Sequence, residues 1–360
     1  MAHIQLDNIT KRFGSHTALS GLDLEIADGE FFVLLGETGA GKTTTLRLIA
    51  GLERPTEGRV LIDGVDVADW GAAERDVALV LQQYSLYPRY TVRQNLEFPL
   101  KPKIRRLPDD EIRERVARAA RTLRIEHLLE RKVDRLSGGE MQRVSIGRAI
   151  VRQPRVFLMD EPLSALDAKL REALRTELKD LQMKLGATFL FVTHDQIEAM
   201  SMGDKVGVLH RGRIVQTGTP QEIYNNPRNT YVARFVGSPP MNLMDGRLVG
   251  GRAVLTAKEF ELPYAGAAKG AGVEDRPLVF GIRPEDLHLE PGAPVEALVH
   301  DVENHGVEKI ATLNVDGVHL RVTVSGQARL EIEQPVRFGW NAEKVALFDK
   351  ASGLSLRHAG

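Results

Sequence analysis

Up to about Phe235, the chain alternates short apolar runs with longer stretches in which apolar residues recur every three or four positions. The runs FFVLL, VALVL, RVFLM and ATFLFV have the length and composition of buried strands. Between residues 168 and 186, leucines follow the period of a helix and are predicted to face the core: Leu170, Leu174, Leu178, Leu181 and Leu185. Strands that alternate with helices in this way predict a mostly parallel α/β fold.

The pattern changes after the segment GSPP, which starts at Gly237. From there on, short strands with alternating apolar residues are separated by turn signals. In ATLNVDGVHLRVTV, the pair Asp316-Gly317 predicts a two-residue hairpin turn. We therefore expect two domains, an α/β domain over residues 1–236 and a β-rich domain of barrel or sandwich type over residues 237–360.

The composition narrows the classes of function. The 360 residues are 42% hydrophobic and carry a formal net charge of −1, so the chain can bury a sizeable core and has no overall basic field to attract nucleic acid. The sequence contains no cysteine, which excludes disulfides and cysteine nucleophiles and fits a reducing cytoplasm. No apolar run approaches the roughly 20 residues that span a bilayer. Any membrane role is therefore expected to depend on partners.

The segment GETGAGKT lies between the apolar run FFVLL and a helical pattern. This is the context of a phosphate-binding loop, whose backbone N–H groups surround the β-phosphate of a nucleoside triphosphate. Lys42 supplies a positive charge for the β/γ-phosphates, and the Thr43 hydroxyl can hold Mg²⁺. The residues expected to contact the nucleotide here are Gly36, Glu37, Thr38, Gly39, Ala40, Gly41, Lys42, Thr43 and Thr44.

Two acidic residues end the apolar strand RVFLM in the segment RVFLMDEP. Asp160 at the strand end can hold Mg²⁺ through water, and Glu161 is placed to orient or deprotonate an attacking water. Beside a phosphate-binding loop, this pair indicates hydrolysis. The alternative is a strand end with two solvated acids.

The segment LSGGE begins at Leu136 and opens a further helical pattern. The free N–H groups and the dipole at such a helix start suit a γ-phosphate, which makes Ser137, Gly138, Gly139 and Glu140 candidates for binding it. The alternative is a capped helix with no ligand.

The three motifs, in this order, resemble those of the ABC-type ATPase family, in which LSGGE is the signature motif. The resemblance implies ATP and Mg²⁺ as cofactors and a P-loop NTPase fold with a helical subdomain at about residues 86–155. It also implies a homodimer, or a dimer with a close paralogue, arranged head to tail. Ser137, Gly138 and Gly139 would then close on the ATP held by the glycine loop of the other copy.

Further positions match the family one by one. Phe13 matches the aromatic residue that stacks on adenine, and Gln82 matches the glutamine that contacts Mg²⁺ or the attacking water. The segment Ser164–Asp167 resembles the D-loop, which runs along the dimer interface. His194, in the segment THD after ATFLFV, resembles the switch histidine near the γ-phosphate. The resemblance thus implies Glu161, His194 and Gln82 as catalytic residues and Thr43, Gln82 and Asp160 as metal-binding residues.

The segments YSLYPRYTVRQN, GSPPMN, GIRPED and VENHGVE are similar to those of the maltose-type, carbohydrate-importing ATPase subfamily. This implies an OB-like regulatory C-terminal domain and two integral-membrane permease subunits that dock on Tyr84 to Leu96. It further implies an indirect link to an extracytoplasmic solute-binding protein, no nucleic-acid partner, and a peripheral position on the cytoplasmic face of a prokaryotic inner (plasma) membrane. Import of a sugar or polyol is the implied role.

Some motif positions carry residues other than those most common in the family. Glu37 replaces a frequent proline, and Ala40 replaces a glycine or a small polar residue. Glu140 and Met141 replace a frequent glutamine pair or Gln-Arg. None of these removes a catalytic group, and Glu140 either adds negative charge near the opposite nucleotide or faces solvent.

Three alternatives stay open at this point. The solute could be another one, such as glycerol phosphate, a polyamine, phosphate or a metal, because similar β-rich tails occur across importer groups. A non-transport ABC ATPase acting on DNA or ribosomes would usually carry a second nucleotide domain or a long coiled-coil insertion, and neither is visible. A purely regulatory nucleotide sensor is opposed by the presence of Glu161.

Overall fold

The computed structural model describes residues 2–102, 107–250, 252–256, 261–263 and 276–357. The chain forms two compact units, Met1–Pro220 and Gln221–Gly360. Within the described residues, no helix is long and apolar enough to cross a membrane.

The first unit is built on a six-stranded sheet with the strand order β10-β9-β3-β8-β7-β6. Its strands are β3 (Phe31–Leu35), β6 (Val77–Val80), β7 (Val156–Asp160), β8 (Thr188–Thr193), β9 (Lys205–His210) and β10 (Arg213–Gly218). All neighbours pair in parallel except β9 and β10. The four apolar runs are therefore parallel strands of this sheet, with β3, β8 and β7 inside it and β6 at its edge, which confirms the predicted α/β fold. Every residue of β3 and β8 is buried, as expected for strands covered on both faces.

A second, antiparallel sheet of the first unit has the order β2-β1-β4-β5. It comprises β1 (Ile4–Phe13), β2 (His16–Ile26), β4 (Glu57–Ile62) and β5 (Val65–Asp66). Apolar side chains of this sheet, including Leu6 and Leu22, pack in one core with Phe32 of the parallel sheet and Leu46 of the first helix. The helix that follows the glycine loop is thus enclosed between the two sheets.

The helices of the first unit are α1 (Lys42–Ile49), α2 (Val92–Glu97), α3 (Asp109–Thr122), α4 (Gly138–Ile150), α5 (Ala168–Leu185) and α6 (Gln196–Met202). In the described residues, α2, α3 and α4 lie within the predicted helical subdomain, with short 3-10 turns at Phe98–Leu100, Glu126–Leu128 and Val133–Arg135. α5 begins where the Asp167 side chain accepts a bond from the Leu170 N–H. Leu174, Leu178 and Leu181 are buried as predicted. The prediction was wrong for Leu185, which is 41% exposed because the helix ends there, at Gly186.

In its described residues, the second unit has two five-stranded sheets, with the orders β13-β12-β11-β14-β20 and β15-β19-β16-β17-β18. Their strands are β11 (Asn242–Val249), β12 (Arg252–Leu255), β13 (Glu261–Pro263), β14 (Leu278–Ile282), β15 (Leu287–Leu289), β16 (Val295–Asn304), β17 (Glu308–Val315), β18 (Val318–Ser325), β19 (Pro335–Trp340) and β20 (Ala346–Asp349). A 3-10 turn covers Pro284–Asp286. Val315 pairs with Val318 around Asp316-Gly317, which confirms the predicted hairpin.

The compact units divide before the expected boundary at residue 237, because two short helices pack on the C-terminal strands. These are α7 (Pro220–Asn225) and α8 (Thr230–Phe235). The buried Arg283 donates to the carbonyl of Tyr224 at 2.7 Å and to that of Ala233 at 3.3 Å, and Ala233 packs with Phe348. These contacts join residues 221–236 to the β-rich part of the chain. The domain ranges 1–236 and 237–360 stay predictions.

Candidate nucleotide-binding and hydrolysis site

Three of the predicted motifs meet at one edge of the parallel sheet. The strands β3, β8 and β7 are neighbours and run in the same direction, so their carboxyl ends lie side by side. The glycine loop follows β3, the pair Asp160–Glu161 ends β7, and His194 follows β8. The Gly36 N–H donates to the Thr193 carbonyl at 3.3 Å, which ties the start of the loop to the end of β8. Ligands of open α/β sheets bind at such an edge.

The glycine loop needs its glycines for space and for backbone conformation. A Cβ atom at Gly36 would lie 2.5 Å from the Leu209 carbonyl oxygen, and one at Gly41 would lie 2.6 Å from Leu19 Cδ2. Gly39 has φ +82° and Gly41 has φ +111°, a region that favours glycine. Gly41 immediately precedes α1, so the free N–H groups at the helix start face the loop. This is the geometry of an anion cradle.

Lys42 lies at the centre of the site. Its ammonium donates to the carbonyls of Gly36 and Glu37 at 2.8 and 3.0 Å, and it lies 3.2 Å from Glu161 Oε1. The side chain is only 4% exposed. A buried ammonium held this way is preorganised to pair with phosphate oxygens.

Thr43 and Asp160 are brought together although they are far apart in sequence. The Thr43 hydroxyl donates to Asp160 Oδ1 at 3.0 Å. Burial raises the pKa of the Asp160 carboxyl above its usual range, and the bond from Thr43 opposes that rise. Hydroxyl and carboxylate oxygens are ligands that Mg²⁺ accepts. This pair therefore fits the metal position that the sequence indicates.

Glu161 joins the glycine loop to the end of β8. One carboxylate oxygen faces Lys42, and the other lies 3.0 Å from His194 Nδ1. Glu161 has φ +44°, a left-handed conformation that residues other than glycine rarely adopt and that concentrates at functional sites. Its N–H donates to the Val192 carbonyl at 3.1 Å, which fixes this conformation. A carboxylate positioned this way can accept a proton from water.

Gln82 reaches the same group of residues through Ser164. The Gln82 side-chain amide donates to Ser164 Oγ at 3.1 Å, and Ser164 Oγ donates to the Glu161 carbonyl at 2.8 Å. The sequence identified Ser164 as part of the D-loop segment but gave no sign of this bridge. No spacing signal could have found it, because 82 residues separate Gln82 from Ser164.

The LSGGE segment forms a capped helix start away from the glycine loop. Ser137 Oγ accepts from the Glu140 N–H, and Glu140 Oε2 accepts from both the N–H and the hydroxyl of Ser137, at 2.7 and 2.8 Å. Glu140 therefore turns onto its own helix start, and the bond from the Ser137 N–H lowers its pKa. Tyr84, Leu166 and Leu170 limit the space around Gly138 and Gly139, and Glu140 lies 3.7 Å from Arg131. These contacts do not bring Ser137 to the glycine loop.

Phe13 is 43% exposed, so one face of its ring is available to a ligand. The ammonium of Lys11 lies 4.7 Å from the ring centroid and also pairs with Glu53 at 2.9 Å. No motif in the sequence points to Lys11. A cation on one face of the ring leaves stacking to the other face.

Comparison with known proteins decides the family. The ABC transporter profile matches residues 19–164, the MalK OB fold domain profile residues 237–287 and the TOBE domain profile residues 280–348. A trehalose/maltose import ATP-binding protein of Thermococcus litoralis is 46% identical over 99% of this chain and 100% of its own length. The chain belongs to the ABC transporter ATPase family. It binds and hydrolyses ATP, as the sequence predicted.

Other relatives of this ABC ATPase are similar over almost its whole length. A xylose/arabinose import ATP-binding protein of Haloferax volcanii is 44% identical over 99% of this chain and 96% of its own. An sn-glycerol-3-phosphate import ATP-binding protein of Brucella abortus is 45% identical over 97% of each chain. Among solved structures, a dimeric ATP-binding cassette in a post-hydrolysis state with ADP and Pi covers 60% of this chain and 98% of its own, with a TM-score of 0.54 and 33% identity. The predicted P-loop NTPase fold with a β-rich OB-like C-terminal part is thereby confirmed.

Proposed function

We propose that this chain is the ATPase subunit of an importer that takes up a sugar or polyol through two separate permease subunits. The observation that carries the chemistry is the meeting of Lys42, Glu161 and His194 at the carboxyl edge of β3, β7 and β8. The solute class rests on the trehalose/maltose and xylose/arabinose relatives. The glycerol-3-phosphate relatives favour a second candidate, an importer of a polyol phosphate.

In this proposal, the residues from Gly36 to Thr44 hold the phosphates of ATP and Phe13 stacks on the base. Lys42 would exchange its bond with Glu161 for the phosphate oxygens, which frees the Glu161 carboxylate to accept a proton from the attacking water. His194 orients Glu161 from the other side and can donate to the γ-phosphate. Thr43, Asp160 and Gln82 supply oxygen donors that would hold Mg²⁺, which neutralises charge on the phosphates when it is bound.

The signature residues would act on the ATP of a second copy. Ser137, Gly138, Gly139 and Glu140 form the start of α4, a 13-residue helix, and its N–H groups and dipole suit a γ-phosphate. The dimeric state of the related ATP-binding cassette supports a homodimer, or a dimer with a close paralogue. ATP-driven closure of the two copies would then reorient the permeases, and hydrolysis would reset them.

The docking surface proposed for the permeases is the segment from Tyr84 to Leu96. Tyr87 and Tyr90 form an aromatic cluster with Phe98, with ring centroids 4.3 to 6.3 Å apart. Tyr90 and Phe98 are 39% and 40% exposed. Next to this cluster, a cavity of about 150 Å³ is lined by Leu81, Tyr84 and Arg148 among others. Exposed aromatic rings beside a cavity suit a partner that inserts a helix end. The protein would then lie peripherally on the cytoplasmic face of the plasma membrane of a prokaryote.

The test is co-purification. The tagged full chain is purified from native membranes in mild detergent, and its partners are identified by mass spectrometry. Recovery of two multispanning permeases, with a solute-binding protein whose ligand can be screened, is expected; recovery of ribosomal or nucleic-acid proteins alone would overturn the proposal. Tyr90→Glu should lose the permeases and retain ATP binding. Trp70→Glu, which alters another exposed aromatic residue (41%) outside the docking surface, should retain both.

A further inference from the structure

Arg171 connects two loops of the site from a position on α5. Its Nη2 donates to the Leu166 carbonyl at 3.0 Å, and its Nη1 donates to Asp195 Oδ2 at 3.2 Å. The side chains of Arg171 and Asp195 are 30% and 22% exposed. Because both contacts are partly shielded from water, solvent and salt screen them less than they screen a surface ion pair.

Asp195 fixes the turn that carries His194. Its Oδ1 accepts from the N–H groups of Ile197 and Glu198 and so begins α6. Its own N–H donates to Thr193 Oγ1 at 2.9 Å, and the Thr193 hydroxyl donates to Glu198 Oε2 at 2.5 Å. The residues on both sides of His194 are therefore held by hydrogen bonds, and the carboxylate of Asp195 belongs to that set.

Leu166 lies in the segment that supports Glu161. Its side chain is buried and its N–H donates to the Leu163 carbonyl at 3.2 Å. In the same segment, Ser164 binds the Glu161 carbonyl and receives the Gln82 amide. A shift of this segment would therefore move the support of Glu161.

We infer that Arg171 is a positioning residue for ATP hydrolysis: by bridging Leu166 and Asp195, it keeps the support of Glu161 and the turn of His194 in register. The inference rests on the catalytic roles proposed above for Glu161 and His194.

An arginine suits this position because its planar guanidinium donates in two directions at once, whereas a lysine ammonium is a single point charge. Arg175, one helical turn further along α5, offers a matched comparison. Both arginines favour the charged form of the buried Glu198 and so oppose the rise that burial causes in its pKa. In the described residues, Arg175 makes no hydrogen bond to Leu166 or Asp195. Comparing variants of Arg171 and Arg175 therefore separates the effect of the positive charge from the effect of the hydrogen bonds to Leu166 and Asp195.

The experiment measures steady-state ATP hydrolysis and nucleotide affinity of the purified full chain, of four single variants and of one double variant. For Arg171→Met, kcat should fall about 10- to 100-fold, the loss typical of a small misplacement of catalytic groups, while the KM and the Kd for ATP change by less than about twofold. Arg175→Met should retain kcat. Arg171→Lys should restore less than half of the lost activity.

The fourth variant, Asp195→Asn, retains the oxygen that caps α6 and weakens the bond to Arg171. It should lower kcat, and combining it with Arg171→Met should add little, because both changes remove one bridge. The inference is overturned if Arg171→Met hydrolyses ATP like the wild type, if Arg175→Met loses as much activity, if Arg171→Lys restores kcat fully, or if the two changes add independently. These outcomes do not depend on which membrane partners are recovered, so the importer proposal stands or fails separately.

Discussion

The buried Arg75 lies between β5 and β6 and offers a direct test of how this segment supports the glycine-loop helix. Its guanidinium donates to the carbonyls of Leu48 and Ile49 at the end of α1, at 2.6 and 3.0 Å. It also donates to the carbonyls of Val67 and Trp70, at 2.8 and 3.1 Å. A positive group at a helix C-terminus also interacts favourably with the helix dipole. Arg75→Met removes all four bonds and retains an apolar side chain of similar length.

The expected loss in the free energy of unfolding depends on which of the four carbonyls keep another hydrogen-bond donor. Those of Leu48 and Val67 also accept backbone N–H groups, whereas those of Ile49 and Trp70 would be left without a described partner. The Ile49 carbonyl is buried, and leaving it unsatisfied costs about 1–3 kcal/mol. The bond to the Trp70 carbonyl is only partly buried, so its loss costs less. Burial of the guanidinium lowers the pKa of Arg75, which shows that burying its charge is unfavourable. Removing the charge therefore offsets part of the loss from the unsatisfied carbonyls. We expect a net loss of about 3 kcal/mol in the free energy of unfolding of the first unit.

The assay is thermal unfolding of the full chain, followed at the transition of the first unit. A loss of about 3 kcal/mol should lower its midpoint by about 6–12 °C. The control is Arg113→Met, which removes a surface arginine that is 66% exposed and pairs with Asp110; its effect should stay within about 0.5 kcal/mol. A midpoint for Arg75→Met within about 2 °C of the wild type would refute the reasoning.

Three further predictions concern the site and the second unit. Glu161→Gln should lower kcat for ATP hydrolysis by at least about 100-fold and leave an ATP-dependent dimer on size exclusion; wild-type turnover would contradict its role as base. Glu140→Gln should lower the ATP concentration needed for dimerisation, because it removes a negative charge that is bonded to Ser137 and would lie near the ATP of the second copy. An unchanged concentration would show that this charge does not oppose dimerisation. In the second unit, the pKa of Tyr224 is raised to about 12, chiefly by burial and by its bond to Glu285. Tyrosine in an unfolded chain titrates at about pH 10, so the contribution of Tyr224 to the free energy of unfolding should be constant below that pH and fall as the pH rises towards 12. The measurement is the unfolding midpoint as a function of pH, and Tyr224→Phe should remove this fall.

The motifs and the strands that carry them could be predicted because each depends on a short stretch of sequence. GETGAGKT is recognisable since glycines, a lysine and a threonine must occur at fixed spacing around a phosphate. The strands FFVLL and ATFLFV are recognisable since central parallel strands are apolar throughout. The exposed end of α5 was missed at Leu185, because periodicity alone does not show where the partner surface ends.

The contacts between the motifs were not predictable in the same way. The Gln82–Ser164–Glu161 chain, the bridge at Arg171 and the support of α1 by Arg75 join residues that lie on different elements. In the sequence, Arg171 looks like part of a charged helix face. The boundary between the two compact units after Pro220 was not predictable for the same reason, because it depends on contacts of the buried Arg283 with a distant segment of the chain.

The sequence by itself determined the family, the phosphate-binding chemistry and the two-part organisation, because these depend on local patterns of residue type. Only the tertiary structure decided which side chains share a hydrogen bond. Those partners are set by the parallel order β3-β8-β7, which places the ends of three distant segments at one edge of the sheet. Such partners depend on distance in space, which residue spacing along the chain does not record.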